Sequence, residues 1–235
     1  MVGGARASVT SGVAETFSRF FRRAPRQARS RALVEAMLSA LEEQLSDDAD
    51  SRGWTIEAVL DRAGVGIGSF YEYFSTKESV LGALVGAVTE RNFRELLATS
   101  EVGPEDSLET AISRMAAAVA RAYLGRPAFT RAVVATIARL GLMRPVAVAR
   151  DRFATELAKR AHRFFPSSTE EELAETMRMI ADAIMGMIAG ELDRTAQPDV
   201  AAFAARINDL GCLLLRSRHQ PVSVAPQQSV REVPE

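Results

Sequence analysis

Apolar residues along this chain recur at three- and four-residue spacing, and no run alternates apolar and polar residues as a half-buried strand would. That period confines the chain to helices packed on helices. Glycine and proline cut it into helix-length pieces. The pattern predicts helices over 30–45, 55–63, 66–74 and 75–99, then near 107–124, 127–140, 145–165, 168–194 and 199–216. Two S-x-x-E pairs, Ser75 with Glu78 and Ser168 with Glu171, read as capping boxes that open two of them. Gly64 stands where a C′ glycine would end the second helix.

Charge and composition narrow the chemistry. The formal net charge is −1, which excludes a uniformly basic coat protein and leaves room for a local basic patch. From Arg6 to Arg31 there are seven arginines against one acid, Glu15. One cysteine, Cys212, excludes an internal disulfide or a cysteine-based zinc site. Two histidines, His162 and His219, leave little for a histidine metal site or a general base. There is no Cys–His pair, no H-E-x-x-H and no glycine-rich phosphate loop, so an enzyme is not expected, nor any cofactor or metal. The uncharged apolar run Ser79–Thr89 falls far short of the ~20 residues that span a bilayer. The N-terminus carries no apolar signal-peptide core, so a cytoplasmic protein without a membrane partner is expected.

The informative segment is TIEAVLDRAGVGIGSFYEYFSTKESVL, Thr55 to Leu81. It reads as a short helix, a glycine turn, a second short helix and a capped third. Ala58 is small where the second helix crosses the first. Ile67, Phe70 and Phe74 fall at i, i+3 and i+7, an anchoring face, while Ser69, Tyr71, Glu72 and Tyr73 would occupy the offered face. One face packed and one presented to a major groove is the design of a recognition helix.

This segment resembles the DNA-binding domain of the TetR (tetracycline-repressor-like) family of bacterial regulators. The likeness runs from about Gln27, in QARSRALVEAMLSAL, through TIEAVLDRAGV and GIGSFYEYF to STKESVL. It implies an all-α protein: a three-helix helix-turn-helix domain and a larger helical domain for ligand binding and dimerisation. The domains would be a basic flexible arm over 1–28, a DNA-binding unit over 29–81, a body over 82–216 and a disordered tail over 217–235. The resemblance puts phosphate contacts on Thr55, Tyr71, Tyr73 and Lys77. Base reading would fall on Glu57, Gly66, Ile67, Gly68 and Ser69. Glu57 would either accept from a cytosine amine or complement its own helix N-terminus. Glu72 would repel phosphate if it faced the DNA backbone. Arg22, Arg23, Arg26, Arg29 and Arg31 would add phosphate attraction or enter a minor groove.

In the body, Leu173, Met177, Ile180, Ile184 and Met187/Ile188 repeat at helical spacing, and Gly186 with Gly190 makes a small-x-x-x-small notch. By resemblance, the last two helices pair with their copies in a partner. The seam would use Ile184, Gly186, Ile188, Gly190, Phe203, Ile207, Leu210 and Leu214. The middle helices would enclose a pocket, with Phe129, Met143, Phe153 and Met177 as apolar candidates and Arg121 and His162 as polar ones. The expected function is a homodimeric DNA-binding transcription regulator, a repressor released from a palindromic double-stranded operator by a small-molecule effector. The alternative is a constitutive helix-turn-helix module with no small-molecule effector.

Overall fold

The computed structural model describes residues 17–47, 53–101, 103 and 105–221. Among them are nine α-helices and no strand. They are α1 (Ala28–Asp47), α2 (Ile56–Ala63), α3 (Ile67–Tyr73), α4 (Lys77–Thr99), α5 (Leu108–Leu124), α6 (Pro127–Arg139), α7 (Met143–Ala161), α8 (Glu170–Arg194) and α9 (Val200–Arg218). Short 3-10 turns at Ser18–Phe20 and His162–Phe164 precede α1 and follow α7.

The helix ends follow from local chemistry. Thr55 caps α2, its hydroxyl accepting from the Ala58 amide at 3.1 Å. Gly64 ends α2 in the left-handed region at φ 65°, where a side chain would be strained. Proline at the first position of α6 loses no helical hydrogen bond. The two capping boxes lie one residue later than the S-x-x-E pairs predict: Thr76 with Ser79, and Thr169 with Glu172. Each cap site holds adjacent hydroxyl residues, Ser75-Thr76 and Ser168-Thr169. The register that buries Val80 and Leu173 selects the second.

The helix-turn-helix core packs Met37, Leu41 and Leu45 of α1 against Val59, Leu60, Phe70 and Phe74. It also takes in Phe129 and Ala132 of α6, so the body contributes to it directly. In the body, α7 lies along α8 and α5 along α9. The boundary expected between residues 81 and 82 falls inside α4, which runs unbroken from one lobe into the other. A buried carboxylate ties the same junction. Glu42 of α1 accepts from Arg91 of α4 at 2.8 and 2.9 Å and from Arg126, the residue before α6.

Two expectations about the ends are corrected. The described part of the 1–28 arm is packed rather than free: Phe17 is 3% exposed, and Phe20 and Phe21 are half-buried against the same cores. Three phenylalanines in five residues bury too much apolar surface to stay in water. The expected tail begins later than residue 217, since α9 reaches Arg218 and His219 is buried. Residues 1–16, the middle of the acidic loop at 48–52 and the tail from 222 onward lie outside the described residues.

Candidate nucleic-acid interface and ligand cavity

Val65 packs against the core, but the three glycines of the turn Gly64–Gly68 face open space. A Cβ added at Gly64, Gly66 or Gly68 would meet nothing within 4 Å. Nothing in the fold therefore demands a bare backbone at Gly66 or Gly68. Ile67, between them, is 49% exposed, and Tyr71 one turn on is 47% exposed. Phe70, Tyr73 and Phe74 are buried.

This changes the expected faces of α3. Ile67 belongs to the offered face, and Tyr73 to the packed one. Ile67 stays outside the core although Val65 before it and Phe70 after it both pack there. Tyr73, at i+3 from Phe70, lies on the same side of the helix as that fully buried ring. Its ring is thus part of the core. Its carbonyl accepts from the Arg22 amide at 2.8 Å.

The other predicted DNA-contacting residues lie on or beside α1, α2, α3 and the start of α4. Thr55 is exposed at the N-terminus of α2, with Glu57 exposed in its first turn. Ser69 is half-buried in α3. Lys77 donates to the Trp54 carbonyl and lies 4.3 Å from the centre of the Trp54 ring, which gathers its charge beside Thr55. Arg29 and Arg31 are exposed in the first turn of α1, and Arg31 donates to the Arg26 carbonyl at 2.7 Å. Arg22 also donates to the Tyr71 carbonyl at 3.2 Å, and Arg23 pairs with Glu72 at 2.7 Å. Arg23 neutralises Glu72, so the repulsion expected from that acid is offset. Cations at the C-terminal end of α3 also complement its dipole. The result is an exposed, side-chain-poor start to α3, with arginines at the far end of that helix and Lys77 beside the start of α2.

The body holds a cavity of about 190 Å³ between α4, α5, α7, α8 and α9. Phe153 and Met177 line it, as expected, and Phe153 stacks on Phe93 with ring centres 4.9 Å apart. The other four candidates lie elsewhere. Arg121 and Met143 are on the surface, Phe129 is in the helix-turn-helix core, and His162 follows α7 outside the cavity wall. Helical spacing identified these residues as apolar or polar without saying which helix face meets which. Tyr123 and Arg150 line the cavity and were not anticipated. Burial pushes the Tyr123 hydroxyl pKa above its ordinary value, while a hydrogen bond with Asn92 and the charge of Arg150 oppose that rise.

The expected dimer seam divides in two. Ile184, Ile188, Phe203 and Ile207 are buried in the protomer's own core and cannot reach a partner. The stripes of α8 and α9 read as interface are the faces by which these helices join the body. Gly186 faces outward with open space around it, and Gly190, Leu210 and Leu214 are half-buried. Met179, 39% exposed, and Leu213, 67% exposed, are the outward apolar residues of the same two helices.

Residues 50–84 match the family model described as bacterial regulatory proteins, tetR family. Two solved structures share the fold. A TetR transcriptional regulator from Rhodococcus sp. RHA1 is 21% identical with a TM-score of 0.55, over 79% of this chain and 96% of that one. SmeT, the repressor of the Stenotrophomonas maltophilia multidrug efflux pump SmeDEF, is 18% identical with a TM-score of 0.54, over 88% of this chain and 98% of that one. At such identities the likeness is one of fold. No curated protein matches the chain.

Proposed function

We propose that this chain, whose helix-turn-helix is that of the tetR family, is a homodimeric repressor that binds a palindromic operator and leaves it when a small molecule fills the body cavity. One observation carries the reading. Helix α4 has Phe93 and Leu96 in the cavity wall and, sixteen residues earlier, Lys77 against the start of α2. A ligand that moves the C-terminal half of α4 therefore moves the DNA-binding unit with it. The Glu42–Arg91–Arg126 cluster stiffens that connection, because its three members come from α1, α4 and the start of α6.

On DNA, Ile67 would contact thymine methyl groups, and Ser69 and Glu57 would hydrogen-bond base edges. Thr55, Tyr71, Lys77 and the arginines from Arg22 to Arg31 would hold phosphates, with the Tyr73 backbone positioning Arg22. Two such helices would meet successive major grooves about 34–36 Å apart. Release by the ligand follows from linkage: an effector that binds the DNA-incompetent state more tightly lowers operator affinity, and operator binding lowers effector affinity by the same factor.

Selection of bound genomic DNA by the full-length protein, followed by anisotropy on the recovered site, tests this reading. A palindromic site whose affinity falls when the cavity is filled is the expected result. Operator affinity unchanged by every cavity-filling ligand would mark a constitutive DNA-binding module.

A further inference from the structure

We propose that the cavity is built for an amphipathic carboxylate, with an apolar body of about six to ten carbon atoms and its oxygens at the Arg150–Tyr123 end. The inference rests on the reading of the cavity as an effector site and adds the chemistry of the effector.

The first argument is the sign of the wall. Its lining is almost entirely aliphatic, methionine and phenylalanine, and the charged residues in it are two arginines, Arg150 and Arg160, with no aspartate or glutamate. A ligand ammonium would lose its hydration and find no counter-charge, a heavy penalty in an apolar site. A carboxylate finds one.

The second argument separates the two arginines. Arg160 is committed, donating to the Leu97 carbonyl and the Ser100 hydroxyl at the end of α4. Arg150 is incompletely satisfied: its Nε is buried and has no hydrogen-bond partner. Its outer nitrogen, Nη2, reaches Asp182 at 2.6 Å, but that carboxylate is 60% exposed. An ion pair with so exposed a partner contributes little. Turning the guanidinium toward an acceptor in the cavity therefore exchanges a weak pair for a desolvated one and supplies the missing acceptor. Tyr123 lines the same cavity, feels the charge of Arg150 and offers a phenolic hydroxyl.

The third argument is size. A cavity of about 150 Å³ holds benzene, so about 190 Å³ admits a somewhat larger body. Met115, Met177 and Met185 in the wall can adapt to its shape.

Isothermal calorimetry on the full-length protein tests this with matched probes that differ only in the head group. One set is octanoate, octan-1-ol and octylamine; the other is phenylacetate, 2-phenylethanol and 2-phenylethylamine. In at least one set the acid should bind about ten-fold or more tighter than the alcohol, as a charge-assisted bond predicts, with the amine weakest. Arg150→Gln should bring the acid down to the alcohol's affinity while the alcohol binds as before, which also shows that the variant is folded. Asp182→Asn should tighten the acid. An amine that equals its acid, acid binding unaffected by Arg150→Gln, or no acid binding at millimolar concentration would overturn the proposal. Arg150-dependent acid binding that leaves operator affinity unchanged would uphold this chemistry and overturn the effector reading instead.

Discussion

Phe17 occupies the space that a side chain on Gly86 would need: a Cβ there would stand 2.6 Å from both Cβ and Cγ of Phe17. Phe20 fills the notch at Gly82 one turn earlier on α4 in the same way. The two glycines weaken a helix interior by about 1 kcal/mol each. Here they admit the aromatic residues that anchor the N-terminal segment across the junction of the two lobes.

Replacing Gly86 by alanine should therefore destabilise the protein despite alanine's higher helix propensity. The overpacking exceeds the gain, and a net loss of about 1–2 kcal/mol is expected. Phe17→Ala should cost about 3–5 kcal/mol by cavity formation. Urea unfolding followed by circular dichroism measures both. Deleting residues 1–25 removes Phe17, Phe20 and Phe21 together, so it should lower stability as well as DNA affinity.

Substitutions in the first turn of α3 should split stability from binding. Gly68→Ala meets no clash in the protein and should raise helix stability by up to about 1 kcal/mol. If DNA approaches the bare backbone, the same change should weaken operator binding. Ile67→Ser should leave the melting temperature nearly unchanged and cost about 1 kcal/mol or more of discrimination at thymine positions. Thermal melts beside anisotropy titrations on operator and scrambled DNA read both effects.

Lys77→Ala should weaken binding to all sequences alike and reduce the salt slope of binding by about one. It should also cost about 0.5–1 kcal/mol of stability through the lost contact with the Trp54 ring. A salt titration with unchanged slope would show that Lys77 serves only the protein.

Acid should loosen the end of α9. His219 is buried, with Nδ1 2.9 Å from the Ser168 hydroxyl and Nε2 2.8 Å from the Thr176 hydroxyl. Burial, reinforced by the charge of Arg218, holds its pKa below the ordinary value, against a smaller opposing effect of Glu172. A depressed folded pKa means that the unfolded chain takes up the proton first. The contribution is therefore complete above about pH 6.5, the unfolded value, and is lost as pH falls toward the folded one. His219→Gln should flatten the fall in urea midpoint below pH 6.5, and a wild-type slope in that variant would exclude His219 as its source.

The proposed dimer should be sensitive to charge on the outward residues of α8 and α9. Leu213→Arg and Gly186→Arg place a charge on the exposed faces of α9 and α8, where the protomer core is untouched. Both should stay helical, become monomeric by light scattering and lose operator binding. A dimer that survives both changes would lie on another face.

Helix positions were legible in the sequence because their causes are local. Apolar spacing, a hydroxyl before a helix, proline at its start and Gly64 at its end each act over a few residues, and the helices of the described residues lie close to where those signals put them. The recognition motif was legible for the same reason, being contained within Thr55–Leu81. What periodicity cannot say is what covers an apolar face. Ile184, Ile188, Phe203 and Ile207 carry the same pattern whether they face their own core or a partner, and only the packing of α8 on α7 and of α9 on α5 turned them inward. Tyr73 went in beside Phe70 and Phe74, and Ile67 stayed out, by the way α3 is set on the core. Phe17 meeting Gly86, Arg126 meeting Glu42 and the orphaned Nε of Arg150 beside a cavity all join residues far apart in the chain. Such pairings depend on how whole helices are placed against one another, and that placement belongs to the tertiary structure.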